Sequence, residues 1–269
     1  MPPLSCHNLA FSYAKTPLLT DINLSFAAGQ FVGLIGANGA GKSTLLSLLL
    51  GLTKAQSGEV CVNGRDLHAQ KRREIAKQLA FVPQSIELPY AFSVQALVAM
   101  GRNPYLGAFA LESTEDKRLI QDAMHKTDIS HLQDRPVNTL SGGEKQRVII
   151  ARALAQQAAT ILLDEPIASL DICHQIETLQ LIKSLTASGK LAITALHDLN
   201  LAASYCDRLI LIGQMPGSSA KTIIADGLPE QVLNTENLAN CFSIKADIIN
   251  HHGKINLTNI TPIKTVIKQ

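Results

Sequence analysis

A glycine-rich stretch at residues 36–44 has the residue types and spacing needed to bind phosphate. It reads GANGAGKST and fits Gly-x-x-x-x-Gly-Lys-Ser/Thr, a loop whose backbone N–H groups surround nucleotide phosphates. Gly39 and Gly41 tolerate positive φ, so the backbone can close around an anion. Lys42 supplies positive charge for the β- and γ-phosphates, and the Ser43 hydroxyl can ligate Mg²⁺. The residues expected to contact the nucleotide are Gly36, Asn38, Gly39, Ala40, Gly41, Lys42, Ser43 and Thr44.

The segments on either side of this loop match what a phosphate-binding loop requires. Residues 31–35 form an apolar run typical of a buried parallel strand. Residues 44–50 indicate a buried helix whose N-terminal dipole faces the phosphates. The alternative is an ordinary glycine turn at a helix start, but the order of strand, loop and helix favours phosphate binding.

Two carboxylates follow another buried strand, at residues 160–163. Asp164 suits the carboxylate that acts on Mg²⁺ through water. Glu165 then stands where a general base can polarise the attacking water. The alternative for Glu165 is an acid at a strand end that caps the following turn.

Two further polar residues stand at strand ends. His197 follows the apolar segment 190–196 and can hydrogen-bond the γ-phosphate and orient the water, or it can be purely structural. Gln84 follows the short strand 79–82 and can contact the metal or the water. Ligands of open parallel sheets bind at the carboxyl ends of the strands. We therefore expect the phosphate loop, Asp164, Glu165 and His197 to converge.

Two more segments can contact a nucleotide. Tyr13 precedes the phosphate loop and can stack on a base, or it can be a half-buried strand tyrosine. Residues 141–147, SGGEKQR, begin a predicted helix in which Ser141 and Glu144 fit a capping box. The exposed N–H groups of Ser141, Gly142 and Gly143 can also bind a second anion at the helix N-terminus.

Composition sets limits on the class of protein. The 269 residues are 46% hydrophobic and 17% charged, with a net charge of +2, which is too small to indicate nucleic-acid binding. Five scattered cysteines favour reduced thiols in a cytosolic compartment. No apolar run approaches 18 residues, so we expect membrane association only through a partner.

The order of predicted strands and helices along the chain indicates an α/β core with insertions. Residues 4–35 read as antiparallel strands, with Ala28-Gly29 as a hairpin signal, and residues 58–64 read as a strand ending in an Asn-Gly turn. Helical periodicity dominates from about residue 87 to 158. Short strands and a small helix are expected in the last 45 residues or so.

Taken together, the chain resembles the ATP-binding subunits of ABC (ATP-binding cassette) transporters over about residues 4–230. Residues 140–147, LSGGEKQR, look like the signature motif of that family and are more specific than the phosphate loop. The resemblance implies that Tyr13 contacts adenine, that Gln84 is the Q-loop glutamine and that Asp164 and Glu165 are the Walker B pair. It implies that His197 is the switch histidine. It also implies a D-loop at residues 168–171, although Ile167 stands where the family usually has Thr.

The implied fold is a P-loop NTPase core with an N-terminal antiparallel β subdomain and an inserted α-helical subdomain. The resemblance suggests a single ABC transporter domain over residues 4–240. Its expected parts are an ATP-binding core at residues 1–86 and 159–225, a helical subdomain at 87–158 and a C-terminal extension at 226–269. In such proteins the signature of one subunit closes on the nucleotide of the other, which implies a dimer of two copies that holds two ATP and Mg²⁺.

A narrower resemblance is to importer ATPases for iron-siderophore, haem and cobalamin complexes. It is carried by residues 100–106, MGRNPYL, and by residues 196–203, LHDLNLAA. It implies transmembrane permease subunits as partners, with residues 84–106 facing a permease, and indirectly a substrate-binding protein. It also implies a peripheral position on the cytoplasmic face of a bacterial inner membrane, and cobalamin is the less favoured cargo.

Two other functions stay open from the sequence. One is a soluble ABC-type ATPase that acts on nucleic acid or ribosomes, although such chains usually carry coiled-coil insertions or tandem cassettes. The other is the motor of an exporter. The segment 84–106 can likewise be a plain helical insert.

Overall fold

The computed structural model describes residues 1–84, 92–107, 110–168, 170–251 and 254–263. The strands are β1 Leu4–Tyr13, β2 Thr16–Phe26, β3 Phe31–Ile35, β4 Ser57–Val62, β5 Arg65–Asp66, β6 Leu79–Val82, β7 Thr160–Asp164, β8 Leu191–Ala195, β9 Arg208–Gln214, β10 Lys221–Gly227, β11 Ile244–His251 and β12 Lys254–Pro262. The helices are α1 Lys42–Leu49, α2 Arg72–Gln78, α3 Val94–Ala99, α4 Thr114–Lys126, α5 Gly142–Ala155, α6 Ile172–Ala187, α7 Leu199–Tyr205, α8 Pro229–Val232 and α9 Thr235–Phe242.

One ten-stranded sheet organises the chain, in the order β5-β4-β1-β2-β10-β9-β3-β8-β7-β6. The half from β9 to β6 is parallel, whereas β5, β4, β1 and β2 pair antiparallel with one another. Strand β10 joins the two halves, pairing parallel with β2 and antiparallel with β9. The carboxyl ends of β3, β6, β7 and β8 therefore point the same way. This is the edge at which the predicted site residues stand.

The parallel strands are buried because helices cover both faces of the sheet. In β3, Phe31 and Ile35 belong to the apolar cluster that contains α5 and α6, while Val32 and Leu34 belong to the cluster that contains α1. Successive side chains of a strand point to opposite faces, so each face has its own core. This explains why these strands read as continuous apolar runs.

Helices α3, α4 and α5 pack together beside the parallel edge of the sheet. Helix α4 begins at a capping box formed by Ser113 and Asp116. Asp116 also accepts a hydrogen bond from the buried Arg102 at 2.8 Å, which ties the segment after α3 to α4. Hydrogen bonds from Ser113 and from Arg102 lower the pKa of Asp116 to about 2.

Two turn predictions had different outcomes. The Asn-Gly turn is confirmed, because Asn63 and Gly64 have positive φ and join β4 to β5 in an antiparallel pair. The hairpin predicted at Ala28-Gly29 is wrong, since β2 and β3 are not neighbours in the sheet. Gly29 does have positive φ, but the turn sends the chain into the parallel half of the sheet. Strands β9 and β10 lie between β2 and β3.

The end of the chain forms a separate two-stranded hairpin, β11–β12, where short strands were predicted. The small helix expected there is represented by α8 and α9. Ile255 and Leu257 of β12 are 4% and 3% exposed and belong to the main apolar cluster. The mixed α/β fold predicted from the sequence is confirmed, and its division into subdomains stays a prediction.

Candidate functional site

The phosphate loop joins β3 to α1, and its glycines are required by the backbone. Gly39 and Gly41 have φ of 73° and 98°, in the region that disfavours side chains. A Cβ on Gly36 would lie 2.4 Å from the carbonyl oxygen of Ile212 in β9, so that position has no room for a side chain. The loop is therefore held closely against the parallel sheet.

Lys42 begins α1 and is 5% exposed. Its Nζ donates to the carbonyl oxygens of Gly36 at 2.8 Å and Ala37 at 3.3 Å. Burial lowers the pKa of Lys42, while the charges of Glu165 and Asp164 raise it. The ammonium group thus lies inside the loop, where anionic phosphates would be stronger partners than the neutral carbonyls it now contacts.

Ser43 and Asp164 come together although 121 positions separate them, because α1 and β7 meet at the same edge of the sheet. Ser43 Oγ donates to Asp164 Oδ1 at 2.9 Å. Burial raises the pKa of Asp164, and the hydrogen bond from Ser43 opposes that shift. A hydroxyl and a half-buried carboxylate at this distance are hard oxygen donors of the kind that Mg²⁺ prefers, so the residues present fit that ion.

Glu165 brings the three predicted catalytic side chains into contact. Gln84 Nε2 donates to Glu165 Oε2 at 2.7 Å, and His197 Nε2 hydrogen-bonds Glu165 Oε1. Among the described residues, the hydrogen-bond partners of the carboxylate are these side chains and not the backbone of the following turn. The alternative of a simple turn cap is therefore not supported.

The backbone of Glu165 is itself unusual, with φ of 47°. A residue with a side chain in this region costs on the order of 1–3 kcal/mol and persists where its surroundings hold it. The side chain is 15% exposed and is held between Gln84 and His197, which come from the ends of two other strands. The strained turn aims the carboxylate into the cleft above the phosphate loop.

Tyr13 stands at the rim of this cleft and is 60% exposed, so it is not the half-buried strand tyrosine considered above. Its ring packs edge-on against Phe11 with centroids 4.9 Å apart, and its hydroxyl lies 3.3 Å from Thr44 Oγ1. One flat face of an exposed, fixed ring suits stacking against a base. The open cleft measures about 360 Å³ and is lined by Tyr13, Leu18, Asn38, Gly39, Ala40, Gly41, Lys42, Ser43, Thr44, Glu165 and His197.

The predicted second anion site lies at the start of α5, and its capping box is confirmed. Ser141 Oγ accepts from Glu144 N at 3.3 Å, while Ser141 N donates to Glu144 Oε2 at 2.7 Å. Ser141 and Gly142 are exposed, and Gly143 is half-buried. None of the three lines the cleft that holds the phosphate loop. Residues 141–143 therefore lie outside the cleft that contains the phosphate loop of the same chain.

Sequence reasoning missed two residues that touch the phosphate loop. Leu18 of β2 lines the cleft, and Lys221 Nζ of β10 donates to the carbonyl oxygen of Gly39 at 2.7 Å. Neither stands in a recognisable motif. Their roles arise because β2 and β10 are neighbours in the sheet, a pairing that no local pattern predicts.

Two features are absent from the residues that the structure describes. No helix in that part of the chain has the length and apolar character needed to cross a bilayer. The same residues contain no group of three His, Cys, Asp or Glu side chains able to hold a metal ion. The fit to Mg²⁺ accordingly rests on the contact between Ser43 and Asp164, and Gln84 and phosphate oxygens would supply further ligands.

Comparison with known proteins gives a family and several relatives. The family described as ABC transporter matches residues 19–168. The achromobactin transport ATP-binding protein of Dickeya dadantii is 36% identical, over 93% of this chain and 91% of its own length. The hemin import ATP-binding protein of Pseudomonas entomophila is 39% identical, over 90% of this chain and 92% of its own.

Other relatives differ more in length or in sequence. The cobalamin import ATP-binding protein of Halobacterium salinarum is 39% identical over 91% of this chain, which spans only 60% of that protein's length. Among solved structures, a metal-chelate type ABC transporter in an inward-facing conformation has a TM-score of 0.81 at 28% identity and covers 98% of both chains. The match over residues 19–168 and these relatives show that the chain belongs to the ABC transporter family of ATP-binding proteins.

Proposed function

We propose that the protein hydrolyses ATP to drive uptake of a metal-chelate, an iron-siderophore or haem in preference to cobalamin, through a separate membrane permease. The observation that carries the proposal is the contact of Glu165 with both Gln84 and His197 beside a phosphate loop. The functions that the relatives' names state, achromobactin transport and hemin import, support the choice of cargo class.

In the proposed mechanism each side chain has one task. The loop N–H groups and Lys42 bind the β- and γ-phosphates, and Tyr13 stacks on the adenine. Ser43, Gln84 and Asp164 would hold Mg²⁺, which supplies neutralisation of the developing phosphate charge when bound. Glu165 accepts a proton from the attacking water, and His197 hydrogen-bonds the γ-phosphate and orients that water. Product release then reopens the site.

A second copy of the chain completes the site in this proposal. The exposed N–H groups at the start of α5 lie outside the cleft of their own chain, so their phosphate partner must come from another molecule. Two copies related by a twofold axis would each place Ser141, Gly142 and Gly143 on the γ-phosphate bound by the other. ATP then joins two copies, and hydrolysis separates them.

Ser141→Arg is expected to prevent this closure without unfolding the monomer. A large cation at Ser141, which is exposed, would fill the space that the γ-phosphate of the partner copy needs. We expect the Glu165→Gln protein to form a dimer in MgATP, and the Glu165→Gln/Ser141→Arg protein to stay a monomer, by size-exclusion chromatography with light scattering.

Ser113→Arg is the matched control, because it removes an equivalent helix N-cap from α4 while leaving α5 intact. On the Glu165→Gln background it should still give the ATP-dependent dimer. A dimer that survives Ser141→Arg would contradict the proposed trans arrangement.

A groove between the sheet and the helical subdomain suits the permease. It measures about 510 Å³, and its lining includes Leu52, Phe81, Met100, Pro104 and Arg152. Leu52 is 61% exposed, an apolar side chain that a partner would cover. Part of the segment expected to face a permease, residues 85–91, lies outside the described residues.

The wall of this groove is built from the MGRNPYL segment. A Cβ on Gly101 would lie 2.2 Å from the carbonyl oxygen of Arg152, so glycine lets the segment pack directly on α5. Arg73 of α2 donates to the carbonyl oxygens of Pro104 at 2.7 Å and Leu106 at 2.9 Å. These bonds connect the MGRNPYL segment to α2, which precedes β6 of the sheet. A connection of this kind is required if a movement of the permease is to reach the cleft.

Uptake by cells tests the proposed cargo. Bacterial cells with and without the gene are given haem, ferric siderophores and cobalamin separately, and depletion of each compound from the medium is measured. We expect the loss of the gene to abolish depletion of an iron-siderophore or haem, and a Glu165→Gln copy to fail to restore it. Unchanged depletion of all three would contradict the importer proposal.

Two further measurements distinguish the importer from the other two functions. Capture of a polytopic membrane protein from detergent extract supports a permease partner, whereas capture of rRNA or DNA supports action on ribosomes or nucleic acid. An exporter motor would instead cause the compound to accumulate inside cells that lack the gene. The proposal places the protein at the cytoplasmic face of the bacterial inner membrane, with a substrate-binding protein on the other side.

A further inference from the structure

The C-terminal hairpin β11–β12 is attached to the helix that begins just after His197. His197 follows β8, Asp198 caps α7, and the helix starts at Leu199. Asp198 Oδ1 accepts from Leu201 N at 2.9 Å, so the cap fixes the helix directly to the residue next to His197. A displacement of α7 would therefore move the histidine.

The attachment is made by one side chain, Asn200, in the first turn of α7. Its Nδ2 donates to the carbonyl oxygen of Leu257 at 3.2 Å, and its Oδ1 accepts from Leu257 N at 2.7 Å. Both backbone groups of Leu257 thus bond to a single amide, as they would to a neighbouring strand. This reciprocal pair fixes the distance and the rotation of α7 relative to β12.

The hairpin is itself held firmly, which makes it a suitable anchor. Ile255 and Leu257 are almost completely buried in the main apolar cluster, and α7 packs along β12. At the base of the hairpin, Ile263 N donates to the carbonyl oxygen of Ser243 at 2.8 Å. Tightly packed cores resist continuous deformation, so α7 is held in one position against the hairpin.

We propose that the β11–β12 hairpin positions His197 for hydrolysis by holding α7 through Asn200. The inference rests on the proposed role of His197 in orienting the attacking water. Asn200 is a positioning residue, because it lies outside the cleft and acts through the helix. Nucleotide binding depends on the cleft lined by the phosphate loop and Tyr13, and no described residue of the hairpin lines that cleft, so binding should be independent of Asn200.

A comparison of four proteins tests the proposal: wild type, Asn200→Ala, His197→Ala and the double variant. We expect Asn200→Ala to lower kcat for ATP about fivefold, less than the hundredfold that a full displacement of a reacting group can cost. KM should stay within about twofold. In the His197→Ala background, Asn200→Ala should cause no further loss, since two residues acting through one group are not additive.

Ser204→Ala is the matched control on the same helix. It removes the hydrogen bond from Ser204 Oγ to the Asn200 carbonyl oxygen, 2.8 Å long, without touching the hairpin. Its kcat should equal that of the wild type within about twofold.

Asn200→Asp keeps the test decisive if the alanine variant does not fold. The carboxylate still accepts from Leu257 N but cannot donate to the Leu257 oxygen, so we expect kcat about two- to threefold below wild type. Wild-type kcat in both Asn200 variants would overturn the proposal, as would equal losses with and without His197. If His197→Ala itself hydrolyses ATP normally, the proposed role of His197 fails instead.

Discussion

Replacing Glu165 by glutamine is expected to lower ATP hydrolysis several hundred-fold or more while MgATP still binds. The amide keeps the size of the side chain and can still hydrogen-bond Gln84 and His197, which hold the carboxylate in the structure. It cannot accept a proton from water, and general-base catalysis contributes on the order of 10²–10⁴ in rate. Phosphate release under single-turnover conditions measures the loss, and equilibrium binding of a fluorescent ATP analogue measures retained affinity.

The matched control for this prediction is Glu59→Gln, because Glu59 is an exposed glutamate on β4, away from the cleft. Its hydrolysis rate should equal that of the wild type. Near-normal turnover in Glu165→Gln would remove Glu165 from the role of base and would leave the strained turn at this residue without a function.

Lys42→Ala is expected to weaken nucleotide binding, with the affinity lowered about tenfold to a hundredfold. A hydrogen bond to a charged group contributes about 1.5–3 kcal/mol, and Lys42 is the buried cation inside the phosphate loop. The shift of the melting temperature by ATP measures this loss, since a ligand stabilises the folded state by RT ln(1 + [L]/Kd), a term that shrinks as the affinity falls. We expect the wild type to show a clear ATP-dependent rise and the variant almost none.

Lys42→Met separates the effect of charge from the effect of packing, and Lys54→Ala is the matched control. Lys42→Met keeps an unbranched apolar side chain of similar length but has no charge, and it should lose binding as Lys42→Ala does. Lys54→Ala removes an exposed lysine after α1 and should bind ATP normally. Unchanged affinity in Lys42→Met would show that the loop does not hold phosphate through this lysine.

The parts of the site that could be predicted from sequence are those fixed by local pattern. The motif at residues 36–44 predicts where its glycines are needed, and the buried strands β6, β7 and β8 end within two residues of Gln84, Asp164 and His197. Parallel strands bring their carboxyl ends to one edge whatever their order, so convergence followed without knowledge of the topology. The contact between Gln84, Glu165 and His197 is a direct consequence.

The parts that could not be predicted depend on which strands become neighbours. Ala28-Gly29 correctly marks a turn, but a turn signal does not say whether the chain returns to the same strand or enters another part of the sheet. Lys221 and Leu18 reach the phosphate loop only because β10 and β2 pair. Likewise, the bond between Asn200 and Leu257 joins segments 57 positions apart.

Ile167 illustrates a departure whose effect the structure makes clearer. The side chain is 6% exposed and belongs to the main apolar cluster, so the missing hydroxyl is replaced by packing. Its carbonyl oxygen still accepts from Gln175 Nε2 at 3.2 Å, which links this loop to α6. Ser169, in the middle of the implied D-loop, lies outside the described residues.

A structure determined with Mg²⁺ and a non-hydrolysable ATP analogue is the most direct test of the central claim. We predict two copies that enclose two nucleotides, with each triphosphate wrapped by residues 36–44 of one copy and covered by Ser141 of the other. Glu165 and His197 should face the γ-phosphate. A nucleotide bound elsewhere, or a γ-phosphate contacted by residues of one chain alone, would contradict the account.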